Sequence, residues 1–252
     1  MDEETIRTLF SQTKEGAAAV NHDLCQRPAV RLFNYRLTET PNGGLAIVAD
    51  VEVLDEEVFS RMGGVSVSFT RTTVRAGAAE EPAVRVLVNP TLFSFNEFCN
   101  IANEIELKGY TIDVTELVQK AGLLEVAVIA VVISLASEVG KGFLSELGAD
   151  LYRALKSKRR TDDPSGPTKV QLHVKEPIRL VLDVDSRVTP EEFAKLAEIR
   201  PMKFLPPNLP IERIDRVIGR VHAGLTISLS CIVLDDGTCI DLESSPRSLT
   251  QS

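Results

Sequence analysis

Apolar positions follow different patterns along the chain, and the longest run sits in the middle. Ala121 to Arg160 reads AGLLEVAVIAVVISLASEVGKGFLSELGADLYRALKSKRR, apolar on every side in its first half, apolar on one side in its second, and basic at its end. Val126, Val128, Ile129, Val131, Val132 and Ile133 are β-branched and fit a buried strand at least as well as a helix. The apolar character outlasts the roughly eight residues of an ordinary strand, and on length the stretch is assigned to a helix. Further on, Val139, Phe143, Leu147, Leu151 and Leu155 recur every four positions, with Lys141, Glu146, Asp150 and Arg153 between them. That spacing predicts an amphipathic helix with one buried stripe. Asp113, followed three residues later by Glu116, reads as its cap. One unbroken rod here would run roughly 60 Å, against a radius of gyration of about 18 Å for a compact chain of this length. A break is therefore expected, and Gly140 and Gly142 supply it.

Elsewhere the runs are short. Asp2 to Val20 predicts an amphipathic helix with Ile6, Leu9 and Phe10 on one face. Arg31–Leu37 and Gly44–Val53 predict strands joined over Pro41, Asn42, Gly43 and Gly44, residues that supply a hairpin turn. A helical turn is expected over Asp55 to Met62, and Gly64–Phe69 and Pro82–Val88 predict a second hairpin. Phe93 to Leu107 reads as a helix. RRTDDPSGPT, residues 159–168, is a linker or a surface loop. After it, Val170–Val174 and Ile178–Val184 are strands, and Thr189-Pro190-Glu191-Glu192 combines an N-cap, an N1 proline and a capping-box glutamate. Ile211, Ile214, Val217, Ile218 and Val221 predict another helix. Leu225–Leu234 and Thr238–Leu242 close a hairpin over Asp235-Asp236-Gly237.

These elements predict an α+β fold, with antiparallel β-hairpins packed around a long, buried, glycine-broken central helix. A doubly wound sheet is not expected, because regular βαβ alternation is missing. The chain divides into an α+β part over residues 1–158, the 159–168 segment, and a smaller α+β part over 169–252, a separate domain or a continuation of the first.

Composition narrows the class. With 252 residues, 44% hydrophobic and 25% charged, the chain is an ordinary soluble globular one. A net charge of −8 argues against a nucleic-acid partner, and the absence of tryptophan with 5% aromatics weakens any stacking role. The uncharged run from Val126 to Ser137 is too short for a membrane span, which needs about 20 residues. The start, MDEETIRTLF, lacks the pattern of a signal peptide, so a cytoplasmic setting is expected.

Candidate chemistry is sparse. Cys25, Cys99, Cys231 and Cys239 are too scattered for a disulfide framework or a zinc site and are read as reduced, packed thiols. Cys231 and Cys239 flank the last hairpin turn. A two-residue turn would set them on opposite faces, and a three-residue turn would set them diagonally on one face. His22 lies three residues before Cys25, a conceivable nucleophile pair. Asp183 and Asp185 share a strand face and could hold a divalent cation, although a solvated strand end is the commoner reading. His173 and His222 have no metal-ligand spacing to one another, and Gly140-Lys141-Gly142 lacks the spacing of a phosphate loop. No cofactor, metal or catalytic residue is assigned.

The leading expectation is a soluble, non-enzymatic interaction or assembly protein whose partner is another protein or a second copy. Its contact surface is expected along Val139, Phe143, Leu147, Leu151 and Leu155, with Lys156, Lys158, Arg159 and Arg160 at the end. One alternative is a membrane-active protein with a concealed apolar helix and a basic end that could meet a membrane surface. Another is an enzyme assembled from scattered residues such as Cys25, His22, Asp183 and Asp185.

Overall fold

The computed structural model describes residues 3–13, 15–18, 24–61, 68–76, 84–88, 95–106, 108–119, 128–134, 138–157, 169–175, 178–206, 209, 211–242 and 247–248. The chain opens with α1 (Glu3–Gln12), whose first turn carries Glu3 and Glu4 where the helix dipole favours them. The helix expected to reach Val20 is shorter, because Gly16–Ala18 (β1) pairs antiparallel with β2 (Val30–Glu39). β2 returns as β3 (Leu45–Val53), giving a three-stranded sheet of order β1-β2-β3. The hairpin turn is closed by Thr40, whose N–H donates to Gly44 O at 2.7 Å, and Gly43 takes φ 77. A short helix, α2 (Glu56–Arg61), follows, and its Phe59, like Leu32, packs against Ala29 and Val30.

The rest of the chain builds one ten-stranded sheet from β4 (Ser68–Ala76), β5 (Val84–Val88), β6 (Ile112–Gln119), β7 (Val128–Ile133), β8 (Lys169–Val174), β9 (Leu180–Val184), β10 (Ile214–His222), β11 (Thr226–Leu234), β12 (Cys239–Asp241) and β13 (Arg247–Ser248). Its order is β12-β11-β10-β9-β8-β7-β5-β6-β4, with β13 beside β11. Three neighbouring pairs, β5/β6, β7/β8 and β9/β10, are parallel. Each is bridged by a helical crossover: α3 (Phe95–Glu106), α4 (Glu138–Lys156), and α5 (Pro190–Ala194) with the 3-10 turns after it. The fold is mixed α and β, and six of the ten strands of this sheet, β5 to β10, lie in βαβ units. Pro82–Val88 does not form a hairpin with the preceding strand. The α3 crossover lays β6 between β4 and β5, so β5 pairs with β6 and β7. The first residues of the strand expected there, Gly64 to Val67, lie outside the described residues.

The central stretch is not one glycine-broken helix. Among its described residues, Val128–Ile133 form β7, a strand inside the sheet, and Glu138–Lys156 form α4. Ile129, Val131 and Ile133 face the helix-covered core while Ala130 and Val132 fill the opposite face, and all five are buried. A strand buried on both faces reads as a continuous apolar run, and here that run abuts an amphipathic helix, which defeats an argument from length. Gly140 and Gly142 do not break the helix. A Cβ on Gly142 would meet Tyr110 Oη at 3.1 Å, so the glycine makes room for Tyr110, which meets Phe143 edge-on at 5.3 Å and donates to Glu146 at 2.9 Å. Asp113 does not cap that helix. It lies on β6, fully buried, 3.7 Å from Arg85.

The helix expected over Ile211–Val221 is likewise a 3-10 turn (Ile211–Arg213) followed by β10. Val217 and Val221 face the main core and Ile218 the opposite face, so burial on both sides again imitates helical spacing. The helix start at Thr189 is present as expected: Thr189 Oγ1 accepts from Glu192 N–H at 3.1 Å and Glu192 accepts from Thr189 N–H at 2.8 Å. Tyr152 of α4 stacks on Phe193 of α5 with centroids 4.5 Å apart. β7 before residues 159–168 pairs with β8 after them, so strands on both sides of that segment belong to one sheet.

Candidate functional site

The stripe expected as a contact surface faces the chain's own core. Phe143 and Leu155 are fully buried and Leu147 and Leu151 nearly so, packed in the cluster that joins α4, α5 and the sheet. Val139 lies in the first turn of α4, and its side chain is outside the described residues. Lys156, half-buried, donates to Val188 O at 2.9 Å and sits 5.8 Å from the Tyr152 ring centre. It ends the helix as a cation should. Lys158, Arg159 and Arg160 lie outside the described residues. No helix among the described residues is long and apolar enough to cross a membrane.

The residues considered for an enzyme site are engaged separately. His22 lies outside the described residues. Asp185 is clasped by Arg187, accepting from its backbone N–H at 2.9 Å, from Nε at 3.0 Å and from Nη2 at 2.9 Å. These hydrogen bonds hold its carboxyl far below the usual carboxylate range. Asp183 accepts from Arg220 at 3.0 Å through Oδ2, while its Oδ1 is buried without a hydrogen-bond partner. His173 bonds Gln171 at 2.8 Å and His222 bonds Ser228 at 2.8 Å. Among the described residues no group of His, Cys, Asp or Glu is arranged to hold a metal ion.

These polar residues share the sheet face opposite the helices. The strand register sets Asp113, Arg85, Val132, His173, Val181, Ile218, Cys231 and Asp241 side by side across eight strands. The face is buried at Gln171, His173 and Val181, which suits structural polar pairs better than an open cleft. At its β10–β12 end lies a small cluster of Ile218, Cys231 and Val233, against which Cys25 and Cys239 pack. Cys239 stands opposite Val233, so Cys231 and Cys239 are diagonal on one face, the arrangement a three-residue turn gives. Arg27 pairs with Asp241, and Arg216, 1% exposed, pairs with Asp215 while its Nε and Nη2 have no hydrogen-bond partner. Burial pushes the Cys231 and Cys239 thiols up, more than the nearby arginines pull them down.

The second feature is the outer edge of β3. Among the described residues β3 pairs on one side only, with β2. One face of β3 is apolar throughout: Leu45, Ile47, Ala49, Val51 and Val53, of which Val51 is 48% and Val53 41% exposed. On the other face Asp50 pairs with Arg36 at 3.1 Å and Glu52 with Arg31 at 2.6 Å. The devices that usually blunt an edge, a proline, a lysine or a bulge, are missing from β3. The register shift of this hairpin is on β2, where Asn34 takes φ 52.

Nothing in the sequence singles out Arg216 or the approach of Cys25 to the last hairpin, since both depend on strand order. The open edge was partly signalled, because β3 alternates apolar residues with charged ones that β2 answers. No protein-family model, curated protein or solved structure matches the chain.

Proposed function

We propose that the chain is a non-enzymatic assembly protein that acts through protein–protein contacts, a second copy joining at the outer edge of β3. The carrying observation is that edge: a nine-residue strand hydrogen-bonded on one side among the described residues, with two exposed valines on an apolar face. An unpaired row of N–H and C=O groups accepts another strand, and the alternate side chains decide which one. β3 is complementary to itself. Antiparallel pairing centred on Ala49 sets Leu45 against Val53 and Ile47 against Val51. On the other face Val48 meets Asp50 and Ala46 meets Glu52, so no like charges are opposed. Each apolar cross-strand pair contributes roughly 0.2–1 kcal/mol. The helix stripe first expected to serve this purpose is occupied by the core.

Sedimentation over a concentration series tests the reading. The unmodified chain is expected at twice the monomer mass at high concentration, and the double variant Val51→Lys, Val53→Lys at the monomer mass with an unchanged far-ultraviolet spectrum. A chain that stays monomeric at every concentration, or a variant that still dimerises, would sink it.

A further inference from the structure

Three of the chain's four cysteines gather at one small cluster on the outer face of the ten-stranded sheet: Cys25 and Cys239 each pack against Ile218, Cys231 and Val233, although Cys25 lies more than two hundred residues before the other two. Cys25 comes from the segment between β1 and β2, and Cys231 and Cys239 come from β11 and β12. Two residues after Cys25, Arg27 forms an ion pair with Asp241, two residues after Cys239. The ion pair thus runs beside the thiols and brings the two short segments together. We propose that Cys25 and Cys239 form a reversible disulfide, a redox staple that ties the β1–β3 sheet to the β11–β12 hairpin.

The partner choice follows from geometry and access. Cys231 and Cys239 are diagonal neighbours on antiparallel strands, about 7–8 Å apart at Cα, which is longer than the roughly 4.4–6.8 Å a disulfide spans. Cys25 is not bound by the sheet register. Cys25 and Cys239 are both partly exposed, so an oxidant reaches them, whereas Cys231 is 2% exposed. Cys99 lies on α3, outside the cluster.

The oxidant is a low-molecular-weight disulfide. The sulfur of one protein thiolate attacks a sulfur of that disulfide and expels one small thiol, leaving a mixed disulfide. The second protein sulfur then attacks the protein-bound sulfur and expels the other small thiol. Two protein thiols give up two protons and two electrons, and one small disulfide becomes two thiols. This inference does not depend on what occupies the β3 edge.

The test uses the full folded chain equilibrated with oxidised glutathione. Alkylatable thiols should fall from four to two, and peptide mapping without reductant should join the Cys25 peptide to the Cys239 peptide. Cys25→Ser should abolish the cross-link, while Cys99→Ser and Cys231→Ser should leave it. Proteolysis within residues 24–29 should slow in the oxidised form and return to its former rate with reductant. Four free thiols after equilibration, a mixed disulfide with glutathione that does not resolve, or a cross-link joining any other pair would overturn the proposal.

Discussion

At Gly219 an added Cβ would meet Ser228 O at 2.7 Å, Leu229 Cδ2 at 2.8 Å and Leu182 Cδ2 at 3.0 Å. The first of these atoms is backbone and cannot swing away. The site adjoins the register shift of the β10/β11 pair, where Ser230 is extra and its hydroxyl donates to Ile218 O at 3.1 Å. A bulge brings the two backbones close, and only a residue without a side chain fits. Gly219→Ala is therefore expected to lower stability by about 1–3 kcal/mol, read from the midpoint of a urea titration at unchanged slope. An unchanged midpoint would mean that the strands part readily there. Gly237 differs in kind, since its φ of 85 closes the Asp235–Gly237 loop by conformation and was legible in the sequence as a turn glycine. Gly219 was not legible, because its reason lies on a neighbouring strand.

At the scale of elements, the α4 stripe is core, and its energetics should say so. Leu151 is 4% exposed, and Leu151→Ala is expected to cost about 2–5 kcal/mol of stability in thermal or chemical unfolding. The same variant should leave the sedimentation behaviour of the folded chain unchanged, which an interface residue would not. How far the elements could be read from the sequence depended on local chemistry. The Thr189 capping box, the Pro41–Gly44 turn and the last hairpin are written in side chains that act within a few residues, and they appear where expected. The β7 and β10 strands are not written that way. Ile129–Ile133 and Arg216–Gly219 are buried on both faces, which removes the alternation that marks a strand. The parallel pairing itself was missed for the same reason, since it follows from the crossovers and not from any one segment. Candidate site residues fared alike: the diagonal placement of Cys231 and Cys239 was one of two readings of a local turn, but the approach of Cys25 required the tertiary fold.

At the scale of the molecule, the two sheets are unequal. The ten-stranded sheet shares a large buried cluster with α3, α4 and α5, whereas the three-stranded sheet has a buried cluster of Ala29 and Val30, with Leu32 and Phe59 beside it. Among the described residues the small sheet has few buried apolar contacts, and few such contacts mean low local stability. Backbone amides of β2 and β3 are expected to exchange with deuterium well before those of β7 to β10, and equal protection in the two sheets would show that they open as one unit. Oxidation by the route proposed above should narrow the difference, because the staple would join the weaker sheet to the stronger.

The Arg27–Asp241 pair also sets an order in time, since it joins residues 214 positions apart. The ribosome releases the small sheet well before the strand that receives it. At about 5–20 residues per second, that interval is on the order of ten to forty seconds. Throughout that interval Arg27 waits without Asp241, while the β3 edge, where we propose that a second copy joins, is already synthesised.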